Sequence, residues 1–382
     1  MIVIKNARIC TISHGVIENG SCAIENGRIV ALGPDITPTA DSEVVDASGK
    51  WLVPGLIDCH CHVGIWPEGE DSSDENENTD AVTANLSALD GINFSDRAFD
   101  DALEGGVTSI MVHPGSTNII AGTSVALKTA GKSIGGRILR NPAALKVAWT
   151  PSGRGGLPSF GAPYPSTRMG IVSIFREQFK EAREYLSTLE LGKSRPLADP
   201  RKRRILEMLG MVLRHEMPVR VHCMMPADIY GLFRLQDEFG FEFTVEHGDE
   251  AHLVAGQLAS RRVPVNYGPL LGDRWFPMFS AARPDAAKIL NDAGVLVSFI
   301  TDHPVVSVRD LRMQASICVK HGLSHESALK MLTLNPASVM GVDSRIGSID
   351  VGKDADLVLF SGDPLSVRSR VDAVFVDGIR VR

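Results

Sequence analysis

What the chain lacks narrows its class first. No apolar run approaches the ~20 residues needed for a membrane-spanning helix. The opening "MIVIKNARI" reads as a β-strand, without the charged-then-apolar order of a signal peptide. Positive charge is not in excess: 39 Lys and Arg against 46 Asp and Glu leave a formal net charge of -7. That balance argues against a nucleic-acid partner. The one basic run, Arg201-Lys202-Arg203-Arg204, opens a helical pattern and is read as a solvated helix start. Cysteine is scattered over positions 10, 22, 59, 61, 223 and 318 with no disulfide-framework spacing. Reduced thiols and a cytoplasmic location are therefore expected.

What is present suits a globular enzyme: 44% hydrophobic and 22% charged residues in 382 positions, beyond the usual single-core size. Residues 1–50 alternate in the β manner, with turn signals at Glu25-Asn26-Gly27 and Gly33-Pro34-Asp35. Residues 345–382 look alike, with short strands in "DADLVLF" and "DAVFVDGIRV". These two ends are expected to pair as one small β-sandwich domain split in sequence. Between them, over 51–344, eight apolar runs alternate with helical patterns: "WLVPGLID", "VTSIMVH", "VALKTA", "ALKVAW", "PVRVHC", "FEFTVEH", "VPVNYG" and "GVLVSFIT". Helices are expected over 177–191, 202–215, 229–239, 281–293 and 326–332. The alternation predicts an α/β fold, a parallel (β/α)₈ barrel with helical crossovers.

On that frame the histidines fall at corresponding places. His60 and His62 follow the first run, His222 ends the fifth, His247 the sixth, and Asp302 the eighth. Residues at the C-terminal ends of barrel strands converge on one mouth, where active sites lie. Imidazole and carboxylate donors suit Zn²⁺ and similar divalent ions, Mn, Fe or Co among them. In "IDCHCH" strand alternation places His60 and His62 inward and Cys59 and Cys61 toward the surrounding helices. Four consecutive residues cannot make a tetrahedral Cys₂His₂ site. Cys223, next to His222, is likewise expected to face away.

Several segments together, "VPGLIDCHCH", "TVEHGDEAH", "FITDHP", "TLNPA" and "IGSIDVGKDADLVLF", resemble the amidohydrolase superfamily, more narrowly its imidazolonepropionase-related branch. The resemblance runs over nearly the whole chain. It implies a distorted TIM barrel with one or two divalent metals, Asp302 serving as ligand and proton shuttle. It also implies hydrolysis of an amide or amine bond at carbon. Lys146, in the fourth run, resembles a lysine that is carboxylated and bridges two metals in peptidase-like members. Closer relatives carry a Gly-Glu-Asn just past this position; Thr150-Pro151-Ser152 stands here. Either Lys146 carries the bridge or the site holds one metal. Met224 stands where relatives often have a second histidine.

Substrate contacts are expected from His113, which closes the second run, from Arg168 as a carboxylate clamp or a helix partner of Glu177, and from Tyr267 and Arg274. His303 points elsewhere in this reading. The Gly- and Pro-rich loop 153–166 suits a lid or specificity wall. The acidic segment 68–80 reads as a solvated loop, with Ca²⁺ binding as the alternative. The leading function is a metal-dependent amidohydrolase acting on a small cyclic or N-acyl amide. Alternatives are a metallo-dipeptidase or carboxypeptidase of the same fold, a heterocycle deaminase, and a non-catalytic scaffold. A small molecule is the expected partner, without nucleic acid or membrane, and a homo-oligomer is open.

Overall fold

The computed structural model describes residues 1–69, 73–149, 165, 167–192, 199–272 and 281–382. Arg274 and nearly all of the loop 153–166 lie outside these residues, as do parts of the segment 68–80. No helix among the described residues is long and apolar enough to cross a membrane.

The first strands form a meander: β1 (Ile2–Cys10), β2 (Val16–Glu25) and β3 (Arg28–Gly33), all antiparallel neighbours. The β2–β3 turn is Asn26-Gly27, with φ of 51° and 80°. Two successive positive φ values are what a two-residue hairpin turn matching strand twist demands, and Asn-Gly meets them with least strain. β4 (Glu43–Asp46) and β5 (Trp51–Pro54) lie parallel to β1. The chain then crosses into a second sheet at Gly55. A Cβ there would stand 1.8 Å from Thr108 Oγ1, so only glycine permits the close approach.

The second sheet has eight strands: β6 (Leu56–Cys61), β7 (Val107–Val112), β8 (Ile120–Lys128), β9 (Ile138–Ala148), β10 (Val219–Cys223), β11 (Phe243–His247), β12 (Val265–Tyr267) and β13 (Val297–Phe299). They are neighbours in chain order and match the eight apolar runs. It closes where Asp302 N donates to His60 O at 3.1 Å and His62 N to His303 O at 3.0 Å. Asp58 strengthens the seam by accepting hydrogen bonds from the Thr301 hydroxyl and amide. The result is a distorted (β/α)₈ barrel. The distortion lies at β8, which runs antiparallel to both β7 and β9. Only residues 113–119 join β7 to β8, too few for the helical crossover that a parallel pair needs.

Helices stand where the periodicity places them, with shifted ends. Arg168–Glu190 starts nine residues earlier than the pattern indicated, and Pro200–Leu213 starts at an Asp199 cap with Pro200 in the first turn. In the basic run, Arg201 pairs with Asp80, Lys202 with Glu181, and Arg203 and Arg204 with Glu207.

The chain's end returns to the first sheet as β14 (Leu357–Phe360), β15 (Val371–Val376) and β16 (Ile379–Arg380), β14 pairing with β5. Both chain ends thus share one eight-stranded sheet, with its own core of Ile4, Ile9, Leu52, Leu357 and Phe375. Buried Lys128, at the end of β8, bolts the barrel to this sheet through Asp354, Asp356 and Asp377 at 2.8, 2.9 and 2.6 Å. Burial alone would lower its pKa, but the aspartates outweigh it and raise the pKa above the ordinary lysine value.

Candidate metal centre

The interior-facing residues of β9 to β13 make a polar layer: Lys146, Arg220, His222, Glu246, Asn266 and Ser298, all buried. Above it the expected ligands come together. His60 Nε2 and His62 Nε2 lie 3.4 and 3.2 Å from Asp302 Oδ1. The His247 ring centroid lies 5.0 Å from that of His60 and 4.5 Å from that of His222. Lys146 Nζ stands 3.1 Å from His60 Nε2. His60, His62 and Asp302 form a set whose donor atoms all lie within 4.8 Å of one another.

Two backbone features aim these ligands. His247 and Asp302 both adopt left-handed conformations, with φ of 72° and 53°. In a regular strand His247 would face away from Glu246; the positive φ breaks that alternation at the strand end. Left-handed conformations outside glycine are a known form of strain at functional sites. In β6 the pairing register with β7 is irregular between Asp58 and Cys61. This irregularity corrects the simple alternation expected for "IDCHCH". Cys59 packs with Ile57, Met111, Ala126, Ala144 and Ala337 and feels the charges of Glu246 and Arg220, so it lies inside the barrel beneath His60. Cys61 and Cys223 join the outer core instead.

Hydrogen bonds then fix which nitrogen of each ring is available. His60 Nδ1 meets Glu246 Oε2 at 2.7 Å, His62 Nδ1 meets His113 O at 2.8 Å, and His247 Nδ1 meets Gly268 O at 3.0 Å. Carbonyl and carboxylate oxygens only accept, so each Nδ1 carries the proton and each Nε2 of a neutral ring keeps its lone pair. His222 Nε2 is buried and has no hydrogen-bond partner among the described residues. Burial drives the His247 pKa down to about 3 and that of His222 well below the usual range, which keeps both rings neutral. For Asp302 burial would raise the pKa, yet His247, His60 and His62 hold the carboxyl well below its ordinary value. Imidazoles that present Nε2, an orphaned buried nitrogen and one carboxylate are a donor set that fits a divalent cation. Lys146, fully buried, has its pKa lowered to about 8 by desolvation, partly offset by Asp302 and Glu246.

Other expected site residues are placed differently. His113 stacks beneath His60 at 4.5 Å, with Nε2 on Cys59 O at 3.1 Å and Nδ1 on Ser124 Oγ at 2.7 Å. Both nitrogens are used, so neither faces a substrate. Tyr267 points outward from β12; its hydroxyl donates to Arg283 O and accepts from Arg283 N, at 2.7 and 2.9 Å. Arg168 pairs with buried Asp228 and contacts Met225 Sδ at 3.4 Å, whereas Glu177 takes the Ser173 hydroxyl. His303 turns away, its Nδ1 accepting from Val308 N at 3.3 Å.

Glu246 was not singled out in the sequence, although it supports the whole set. Its carboxylate accepts from His60 Nδ1 and from Asn266 Nδ2 at 3.0 Å, and Arg220 Nη1 lies 3.5 Å away. Burial would raise its pKa, but His60, Arg220 and Lys146 lower it below the ordinary value. An acid and an arginine in the apolar runs "FEFTVEH" and "PVRVHC" were the available signal, since unpaired burial of either is costly.

The description "Amidohydrolase family" fits residues 169–381. A crystal structure of an amidohydrolase from Thermotoga maritima shares 37% identity over 100% of both chains, with a TM-score of 0.93. An imidazolonepropionase of Acidiphilium cryptum is 26% identical over 94% of this chain and 93% of its own. Amidohydrolase tasK of Hapsidospora irregularis is 29% identical over 94% of this chain, which spans only 39% of that protein.

Proposed function

The chain belongs to the amidohydrolase family, hydrolases of carbon–nitrogen bonds, and on that premise we propose that it hydrolyses the amide bond of a small cyclic or N-acyl substrate at a divalent metal, zinc first among the candidates. The observation that carries this reading is the convergence of four Nε2-presenting imidazoles and Asp302 on one barrel mouth. His60, His62, His222 and His247 would hold the ion, with Asp302 beside them. When bound, such an ion supplies Lewis-acid polarisation of the carbonyl and activation of water.

The chain's own groups do the rest. Asp302 Oδ1 lies 3.4 and 3.2 Å from the Nε2 atoms of His60 and His62, on the side these ligands face, and the carboxylate would take the proton of the attacking water and pass it to the leaving nitrogen. Its low pKa keeps it ionised and ready to accept at neutral pH. Glu246, held by Asn266 and Arg220, fixes the His60 ring through Nδ1.

One observation favours a peptidase-like variant with a bridging, carboxylated Lys146. At pH 8 half of an amine with pKa about 8 is neutral and open to CO₂, against about 0.3% for an ordinary lysine. The named relatives include imidazolonepropionases, which supports a small cyclic amide as the leading substrate class. The decisive experiment is metal analysis of purified protein, followed by assay of lactams, hydantoins, N-acyl amino acids and dipeptides. Tight binding of at least one equivalent of Zn²⁺ or Mn²⁺ is expected. Asp302→Asn should lower kcat by about 10²–10⁴. Less than ~0.2 equivalents of metal, unchanged on adding either ion, overturns the enzyme reading.

A further inference from the structure

Residues 74–80 of the acidic segment after β6 are no free loop. Asp74 N donates to Ile65 O at 2.7 Å, Ile65 N to His62 O at 3.0 Å, and Gly115 N to Glu75 O at 2.6 Å. Asn118 Nδ2 fastens the far side to Glu77 O and Asp80 O, at 2.6 and 2.8 Å. Residues 74–80 are therefore pinned to the stretches that directly follow β6 and β7, beside the mouth that His62 enters.

Together they enclose a cavity of about 210 Å³. Asp74, Glu75, Glu77 and Asp90 line it, with Ile65 and Pro114 among its apolar walls and no Lys or Arg among the described residues. Asp74, Glu77 and Asp90 are exposed, while Glu75 is 8% exposed. Glu75 Oε1 accepts from Asn76 Nδ2 at 2.8 Å, but Oε2 is buried without a hydrogen-bond partner among the described residues. A buried, unpartnered carboxylate oxygen is costly unless a cation or donor completes it.

The spacing decides which cation. Among the described residues no three carboxylates here bring their oxygens within 4.8 Å of one another, whereas Ca²⁺ gathers six to eight oxygens at about 2.3–2.6 Å. The acids surround a space larger than a bare ion needs. We propose that this cavity is a subsite for the cationic end of an organic substrate, an ammonium or guanidinium group several bonds from the scissile amide. Its walls suit an alkyl stem, and the carboxylates suit multidentate N–H donors. The link to substrate rests on the hydrolase reading above; the cation binding does not.

Agmatine, with a guanidinium and an ammonium joined by a butyl stem, is the probe. Calorimetric titration of the zinc-loaded full chain, near 0.15 M salt to screen loose surface attraction, should show saturable 1:1 binding. Glutarate, of similar reach and opposite charge, should not bind. Glu75→Gln keeps an acceptor for Asn76 and should weaken agmatine at least tenfold. Asp90→Asn, at an exposed position, should weaken it severalfold and serves if Glu75→Gln fails to fold. Absence of saturable agmatine binding, equal affinity in both variants, or stoichiometric Ca²⁺ uptake that displaces agmatine would each overturn the proposal. Failure in a chain that binds zinc and hydrolyses N-acyl amides removes the subsite and leaves the hydrolase. Agmatine binding in a chain that takes up no zinc does the reverse.

Discussion

Replacing Glu246 by Gln tests whether the metal centre is built from beneath. The wild-type carboxylate is fully buried and serves three groups at once: His60 Nδ1 at 2.7 Å, Asn266 Nδ2 at 3.0 Å, and the Arg220 guanidinium at 3.5 Å. Gln keeps the volume but has one acceptor oxygen. At the Oε2 position that oxygen still accepts from His60 Nδ1 and Asn266 Nδ2, while the amide N–H₂ faces Asn266 and the Arg220 guanidinium; at the Oε1 position it leaves His60 Nδ1 facing an amide donor. Either way Arg220, wholly buried, loses its only carboxylate partner among the described residues and keeps the Val339 carbonyl. Breaking one side of a buried ion pair costs about 3–5 kcal/mol. Loosening the hydrogen bond behind a metal-ligating histidine costs about 10–100-fold in metal affinity, or about 1.4–2.7 kcal/mol. Urea unfolding of the metal-free protein, followed by circular dichroism, reads the first term. Competition for Zn²⁺ against a chromophoric chelator reads the second. The apo stability should fall by several kcal/mol and the zinc affinity by one to two orders of magnitude. A variant within about 0.5 kcal/mol of wild type and with unchanged zinc affinity would refute the idea that Glu246 positions His60.

Two further outcomes follow from buried charges. Lys146→Ala should reduce bound metal from two equivalents to one, by elemental analysis, if the lysine bridges; one equivalent in both proteins removes the bridge. Asp58, buried at the barrel seam, has its pKa raised to about 7 by desolvation, partly offset by hydrogen bonds from Thr301 and His60. Between the ordinary carboxylate pKa and about 7 the folded state therefore binds more protons than the unfolded one. Wild-type stability should fall as pH rises through that window, by up to about 1.4 kcal/mol per unit, and level off above it. Asp58→Asn removes this slope, so metal-free wild type should lose ground to the variant between pH 5 and pH 8. Parallel curves in urea titrations at these pH values would contradict the assignment.

The sequence by itself determined the barrel's strand count and order, and the strand-end positions of His60, His62, His222, His247 and Asp302. Both are encoded locally, in apolar runs of strand length separated by helical periodicity, and such patterns are read without knowing what lies across the fold. The direction of β8 was legible in principle from the short link at 113–119, but apolar content alone does not show strand direction. Tertiary structure decided what local patterns cannot. Period-two alternation placed Cys59 on the outer face, yet a register irregularity against β7 turned it inward. His113 and Tyr267 carry suitable chemistry at suitable strand positions, but partners distant in sequence, Ser124 and Arg283, occupy their polar atoms. Glu246 gained its role only because β10, β11, β12 and β6 close around it and bring Arg220, Asn266 and His60 within reach. A side chain's identity fixes which bonds it is able to make. Closure of the barrel fixes which of them it does make, because a buried polar group must take whatever partner the fold brings to it.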